Sequence, residues 1–157
     1  MMNKEQFTSN IDILFLSAPS SNPATELAFK VQGMPQLGLG YIATYLKQFD
    51  YTSRILDMNF TFNTIHVLLG MIQECNPRVV GISCTTETYN NALRITRIIK
   101  KHNHNLHIVI GGPHVSFEYE KALSECAEID LICIGEGEIR YPQNKPTTIV
   151  PFHDVVE

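Results

Sequence analysis

No run of about 18 apolar residues occurs in the chain, so nothing in it reads as a bilayer-spanning helix. The first ten residues are polar. They do not pass from a charged start through an apolar middle to a small-residue cleavage site, so no secretory signal is read. Positive charge is in short supply: 12 Lys and Arg against 16 Asp and Glu leave a formal charge of −4. That balance argues against non-specific binding to nucleic acid or to an anionic membrane. Cysteine is sparse. Cys75, Cys84, Cys126 and Cys133 are too unevenly spaced for a C-x-x-C zinc or redox pair. Reduced, buried thiols in a cytoplasmic protein are the plain expectation.

Several motifs are also missing. There is no G-x-x-x-x-G-K-[ST], which excludes a P-loop nucleotidase. The first predicted strand is followed by residues 17–25 (SAPSSNPAT), which lack the G-x-G-x-x-G of a dinucleotide fold. Asp57 nevertheless ends the second strand, where a ribose-binding acid would stand. A phosphate-accepting receiver domain would want acidic residues after strands one and three, and Ser17 and Ser83 stand there. His102, His104 and His107 straddle a helix end and a strand start with no carboxylate to complete a ligand set. They read as a solvated linker.

What is present suits one α/β domain. The chain has 157 residues, 44% hydrophobic and 18% charged, enough to bury a core. Short apolar runs at residues 11–16 (IDILFL), 79–82 (VVGI), 107–110 (HIVI) and 129–134 (IDLICI) read as strands, with a more polar one at 51–56 (YTSRIL). Between them the apolar period becomes helical. The faces are Ile42, Tyr45, Leu46 and Phe49; Ile65, Leu68, Leu69 and Ile72; Ala92, Ile95 and Ile99; and Tyr119, Ala122, Leu123 and Cys126, with Ser116 as N-cap of the last helix. Strands joined through helices run parallel, with right-handed crossovers. The polar second strand fits an edge, so the expected fold is a Rossmann-like, flavodoxin-like five-stranded parallel sheet of order 2-1-3-4-5, helices on both faces. The expected organisation is a polar extension at 1–10, the domain at 11–138 and an irregular, proline-bearing tail at 139–157.

In such sheets ligands bind beyond the carboxyl ends of the strands. Strand one is followed by a polar connection about three times the usual length, a mark of a functional loop. Strand three is followed by Ser83, Cys84, Thr85, Thr86 and Glu87. Strand four is followed by Gly111, Gly112, Pro113 and His114, and strand five by Gly135, Glu136, Gly137 and Glu138. Glycine lets a ligand approach the backbone, and hydroxyls both donate and accept. One edge therefore offers open backbone and small polar groups with few charges, which suits a large, nearly neutral ligand. Taken singly, each feature also has a plainer reading as a turn, a helix cap or a solvated charge.

Residues 35–47 (PQLGLGYIATYLK), 79–89 (VVGISCTTETY), 108–116 (IVIGGPHVS) and 129–138 (IDLICIGEGE) resemble, in order and spacing, the cobalamin-binding domain of cobalamin-dependent radical S-adenosylmethionine enzymes. The resemblance implies cobalamin as cofactor. It would be held by Leu37 and Gly38 at the first helix, Ser83, Thr85 and Thr86 after strand three, Gly111, Gly112, Pro113 and His114 after strand four, and Gly135, Glu136 and Gly137 after strand five. It also implies methyl transfer, with the cobalt chemistry supplied by the cofactor. The cobalt-ligating D-x-H-x-x-G of related domains is absent, which implies a lower axial position left to water or another group. The C-x-x-x-C-x-x-C of an iron–sulfur cluster is absent too. The expectation is a binding module rather than a complete enzyme: either a truncated relative of a radical enzyme, or one half of a split enzyme working with a radical S-adenosylmethionine domain in trans. An interaction or regulatory module without cofactor is the alternative, and a flavin module a third reading. The apolar last strand invites cover, from residues 147–152 folding back or from a partner copy.

Overall fold

The computed structural model describes residues 10–22, 36–59 and 64–135. In chain order these form β1 (Ile13–Ser17), α1 (Leu37–Leu46, followed by one 3-10 turn), β2 (Ser53–Asp57), α2 (Thr64–Cys75), β3 (Val79–Ser83), α3 (Tyr89–His102), β4 (His107–Gly111), α4 (Pro113–Phe117), α5 (Tyr119–Glu125) and β5 (Leu131–Ile132). The strands make one parallel sheet of order β2-β1-β3-β4-β5, as the alternation of apolar runs and helical periods predicts. The polar strand β2 is an edge, with Ile55 exposed.

Alternate residues of the central strands enter opposite layers. Leu14, Leu16, Val80, Ile82, Ile108 and Ile110 point to the larger layer, which α2 and α3 cover with Leu68, Ile72, Ala92, Ile95 and Ile99. Ile13, Phe15, Val79 and Val109 point the other way and meet Leu39 and Leu46 of α1. Among the described residues α1 alone covers this second face. No described helix is long and apolar enough to cross a membrane.

Four sequence expectations are corrected. The buried stripe of α1 is Leu39 and Leu46, with Ile42 and Ala43 partly buried. Tyr45 instead stacks on the half-exposed Phe49, with ring centroids 5.3 Å apart. The helix expected near residue 119 is two short ones broken at Glu118, and Leu123 is exposed. Ser116 is not an N-cap. It lies inside α4, where Pro113 occupies the first turn without needing a donor N–H. The plainer alternative for residues 83–86, a cap on the third helix, is also set aside: the N-cap of α3 is Thr88, whose hydroxyl accepts the Thr85 N–H at 3.0 Å. The tail at 139–157, including the proposed cover at 147–152, lies outside the described residues, as do Glu136 and Gly137.

Candidate functional site

Register puts Phe15, Gly81, Val109 and Leu131 in one row across β1, β3, β4 and β5. Two residues further on, the row runs Ser17, Ser83 and Gly111, with Cys133 beside it. Each row thus carries a glycine where neighbours carry side chains. Both glycines fall on the lightly covered face. The result is a cleft of about 450 Å³ floored by Phe15, Gly81, Val109 and Gly111 and walled by Gly38, Leu39 and Ile42 of α1. Cys133 and Gly135 close the β5 side. A glycine inside an apolar strand often marks such a close approach.

The rim is shaped by close backbone contact. Gly112 has φ +106°, and a Cβ there would meet the Cys84 carbonyl oxygen at 2.4 Å. The Cys84 N–H in turn donates to the Gly111 carbonyl at 3.0 Å, locking the β3 and β4 loops together. Burial pushes the Cys84 thiol up to about 12, so it remains protonated. At Gly111 an added Cβ would lie 3.4 Å from the Cys133 Cβ, a contact that the site tolerates. Gly38 faces open space.

Among the described residues no charged side chain lines the cleft. Its polar side chains are Gln36, Tyr41, Ser83 and Ser116. The Ser116 hydroxyl donates to the Gly112 carbonyl at 3.0 Å and accepts the Gly135 N–H at 3.1 Å. His114 lies on the other side of α4. Its Nδ1 is hydrogen-bonded with the Thr86 hydroxyl at 3.2 Å, and its ring packs 4.2 Å from that of Tyr89. Its Nε2 is buried without a partner among the described residues. The Tyr89 hydroxyl donates to Glu125 at 2.8 Å, and burial, then that carboxylate, raises its pKa.

Of the residues singled out from sequence, Gly38, Ser83, Gly111, Gly112, Pro113 and Gly135 line the cleft. Thr85 and Thr86, both exposed, and the partly buried His114 do not line it, and Leu37 lies exposed at the start of α1. Phe15, Gly81 and Val109 also line the cleft, and they lie inside strands rather than on the loops that follow them. The glycine inside VVGIS was the available signal. Asp57 does not stand open as a ribose-binding acid would. Its Oδ1 accepts both the backbone N–H and the side-chain amide of Asn59 at 3.0 Å. Asn59 is buried and also accepts the Ser20 N–H at 3.0 Å. The Ser20 hydroxyl donates to Glu87, and Asn91 donates to the Pro19 carbonyl at 2.8 Å. This network ties the first turn after β1 to β2 and to the start of α3. Among the described residues no three His, Cys, Asp or Glu side chains converge on a metal position.

Comparison with known proteins fits this geometry. The model of the B12 binding domain matches residues 31–143. An uncharacterized methyltransferase of Pyrococcus horikoshii is 36% identical over 124 residues, covering 77% of this chain and 27% of that protein. The anaerobic magnesium-protoporphyrin IX monomethyl ester cyclase of Rubrivivax gelatinosus is 31% identical over 127 residues, covering 80% of this chain and 22% of that one. The cobalamin-dependent radical SAM methyltransferase TokK of Streptomyces tokunonensis is 24% identical over 120 residues, covering 73% of this chain and 17% of that one. The chain thus spans between about a sixth and about a quarter of the length of these relatives. With the family model covering well over half of its residues, the chain belongs to the B12-binding domain family.

Proposed function

We propose that the chain holds cobalamin in the cleft on the α1 face, as the binding module of a methyl-transfer system. The observation that carries this reading is the pairing of Gly81 and Gly111 in adjacent sheet rows beneath a lining without charge. A Cβ at either position would occupy space that a large, nearly neutral ligand needs. The bound corrinoid supplies the organometallic chemistry of methyl carriage. The chain's own residues bind and orient. Phe15, Val109 and Leu39 exclude water from the floor, and Ser83 and Gln36 offer hydrogen bonds to polar edges of the ligand. Thr85, Thr86, Pro113, His114, Glu136 and Gly137 belong to the same proposed binding edge.

The reaction itself pairs this module with a radical S-adenosylmethionine unit, a reading that the likeness to a cobalamin-dependent radical SAM methyltransferase supports. Leu37 and Phe117, exposed by 67% and 86%, each adjoin a cleft-lining residue, and Tyr41, exposed by 68%, lines the cleft itself. That apolar margin supports docking of such a unit over the mouth.

The test mixes the purified chain with hydroxocobalamin and desalts it. A retained pink chromophore with near-equimolar cobalt is expected. A colourless protein without cobalt overturns the reading and leaves a cofactor-free interaction module, whereas a yellow preparation as purified indicates flavin instead.

A further inference from the structure

The cobalamin reading underlies a second assignment, about how the rim is kept ready. We propose that Ser116 is a positioning residue that holds the Gly112 and Gly135 turns in their ligand-ready arrangement. β5 is only two residues long, and the last ladder bond beyond it is Cys133 N–H to the Ile110 carbonyl at 2.8 Å. Two residues later β4 has already given way to α4, so Gly135 has no neighbouring strand to bond. The Ser116 hydroxyl stands in for that strand. It donates its proton to the Gly112 carbonyl, which leaves its lone pairs for the Gly135 N–H.

Both tethered residues are in the left-handed region, Gly112 at φ +106° and Gly135 at φ +77°. They are held very differently. Gly112 is fixed by its contact with Cys84, whereas Gly135 has nothing within 4 Å of a Cβ position. No packing at its Cβ position fixes Gly135, and among the described residues the Ser116 hydroxyl is the partner that holds its N–H. Glycine has the most backbone freedom of any residue. Without the tether that freedom returns in the ligand-free protein and must be given up on binding, which weakens affinity. Stability changes little, because the Gly135 N–H is at an exposed position where water replaces the lost acceptor. A loss of affinity without a loss of stability is the signature that separates positioning from structural support.

The experiment compares the full chain, Ser116→Ala and Ser116→Thr by hydroxocobalamin titration and by thermal unfolding. Loss of the tether is expected to weaken binding about tenfold in S116A, and restoring a hydroxyl in S116T to bring it within about threefold of the parent. The melting temperatures are expected to agree within about 2 °C. Parent-like affinity in S116A overturns the assignment and leaves the cofactor reading intact. Weakened binding with an equally lowered melting temperature, or a failure of S116T to restore it, makes Ser116 a structural residue and also overturns it. Failure of the parent chain to bind hydroxocobalamin overturns the cofactor reading first, and this assignment with it.

Discussion

Gly112 is pressed so tightly onto Cys84 that the carbonyl oxygen of Cys84 occupies the place of its missing side chain, 2.4 Å from a Cβ position. Gly112→Ala combines a left-handed strain with a backbone clash, and is expected to lower stability by about 2–4 kcal/mol. Urea unfolding checks this, with Gly111→Ala as the contrast. The latter meets only Cys133 at 3.4 Å and is expected to cost about 1 kcal/mol or less.

A larger side chain at Gly111 separates folding from binding. Gly111→Leu is expected to leave a cooperative unfolding transition and to abolish retention of hydroxocobalamin. Retention at the parent level would show that the ligand does not occupy the cleft floor.

Thiol labelling reports on the same cleft. Cys75, Cys84 and Cys126 are buried, whereas Cys133 is partly exposed and lines the cleft. N-ethylmaleimide is expected to modify Cys133 well before the other three, since reaction needs both access and a thiolate. Saturating hydroxocobalamin is expected to slow that modification at least about tenfold, because binding must open before the reagent enters. Peptide mapping after timed quenching gives the rates.

The buried thiol of Cys84 makes stability fall in alkali. Its pKa rises from 9.0 in the open chain to about 12 in the fold. Between these values the unfolded chain sheds a proton that the native state keeps, so stability declines as pH rises above about 9, by at most about 1.4 kcal/mol per pH unit for one proton. Tyr89, also raised, adds to the decline above its ordinary range. Urea midpoints between pH 8 and 10.5 are expected to fall for the parent, and less steeply for Cys84→Ala. Equal slopes would refute the assignment to Cys84.

Asn59 anchors the turn after β1 from a buried position. Asn59→Ala strands the Ser20 N–H and releases Asp57, and is expected to cost about 2 kcal/mol. Asn91→Ala, at a partly exposed contact, is expected to cost less. Paired urea titrations measure both.

The sheet order was legible because two periods alternate cleanly along the chain, and because β2 is too polar for a central strand. The rim glycines are legible because GG follows an apolar run and falls on the same sheet edge as the hydroxyls after β3, although a glycine pair alone is as readily a plain turn. The cleft floor was not, since the row Phe15, Gly81 and Val109 is assembled by strand register, which no segment encodes alone. Ser116 was misread as a cap because its partners, Gly112 and Gly135, come from two different turns. The short helix Pro113–Phe117 is not legible in the apolar spacing, which begins only at Tyr119, beyond the break at Glu118.

The unequal cover of the two sheet faces has an evolutionary consequence. Cohesion resides in the thick layer beneath α2 and α3, whereas the cleft opens on the thin one beneath α1. Substitutions that reshape the cleft floor therefore draw little on the reserves that keep the polypeptide folded, and such a scaffold can be refitted without being rebuilt.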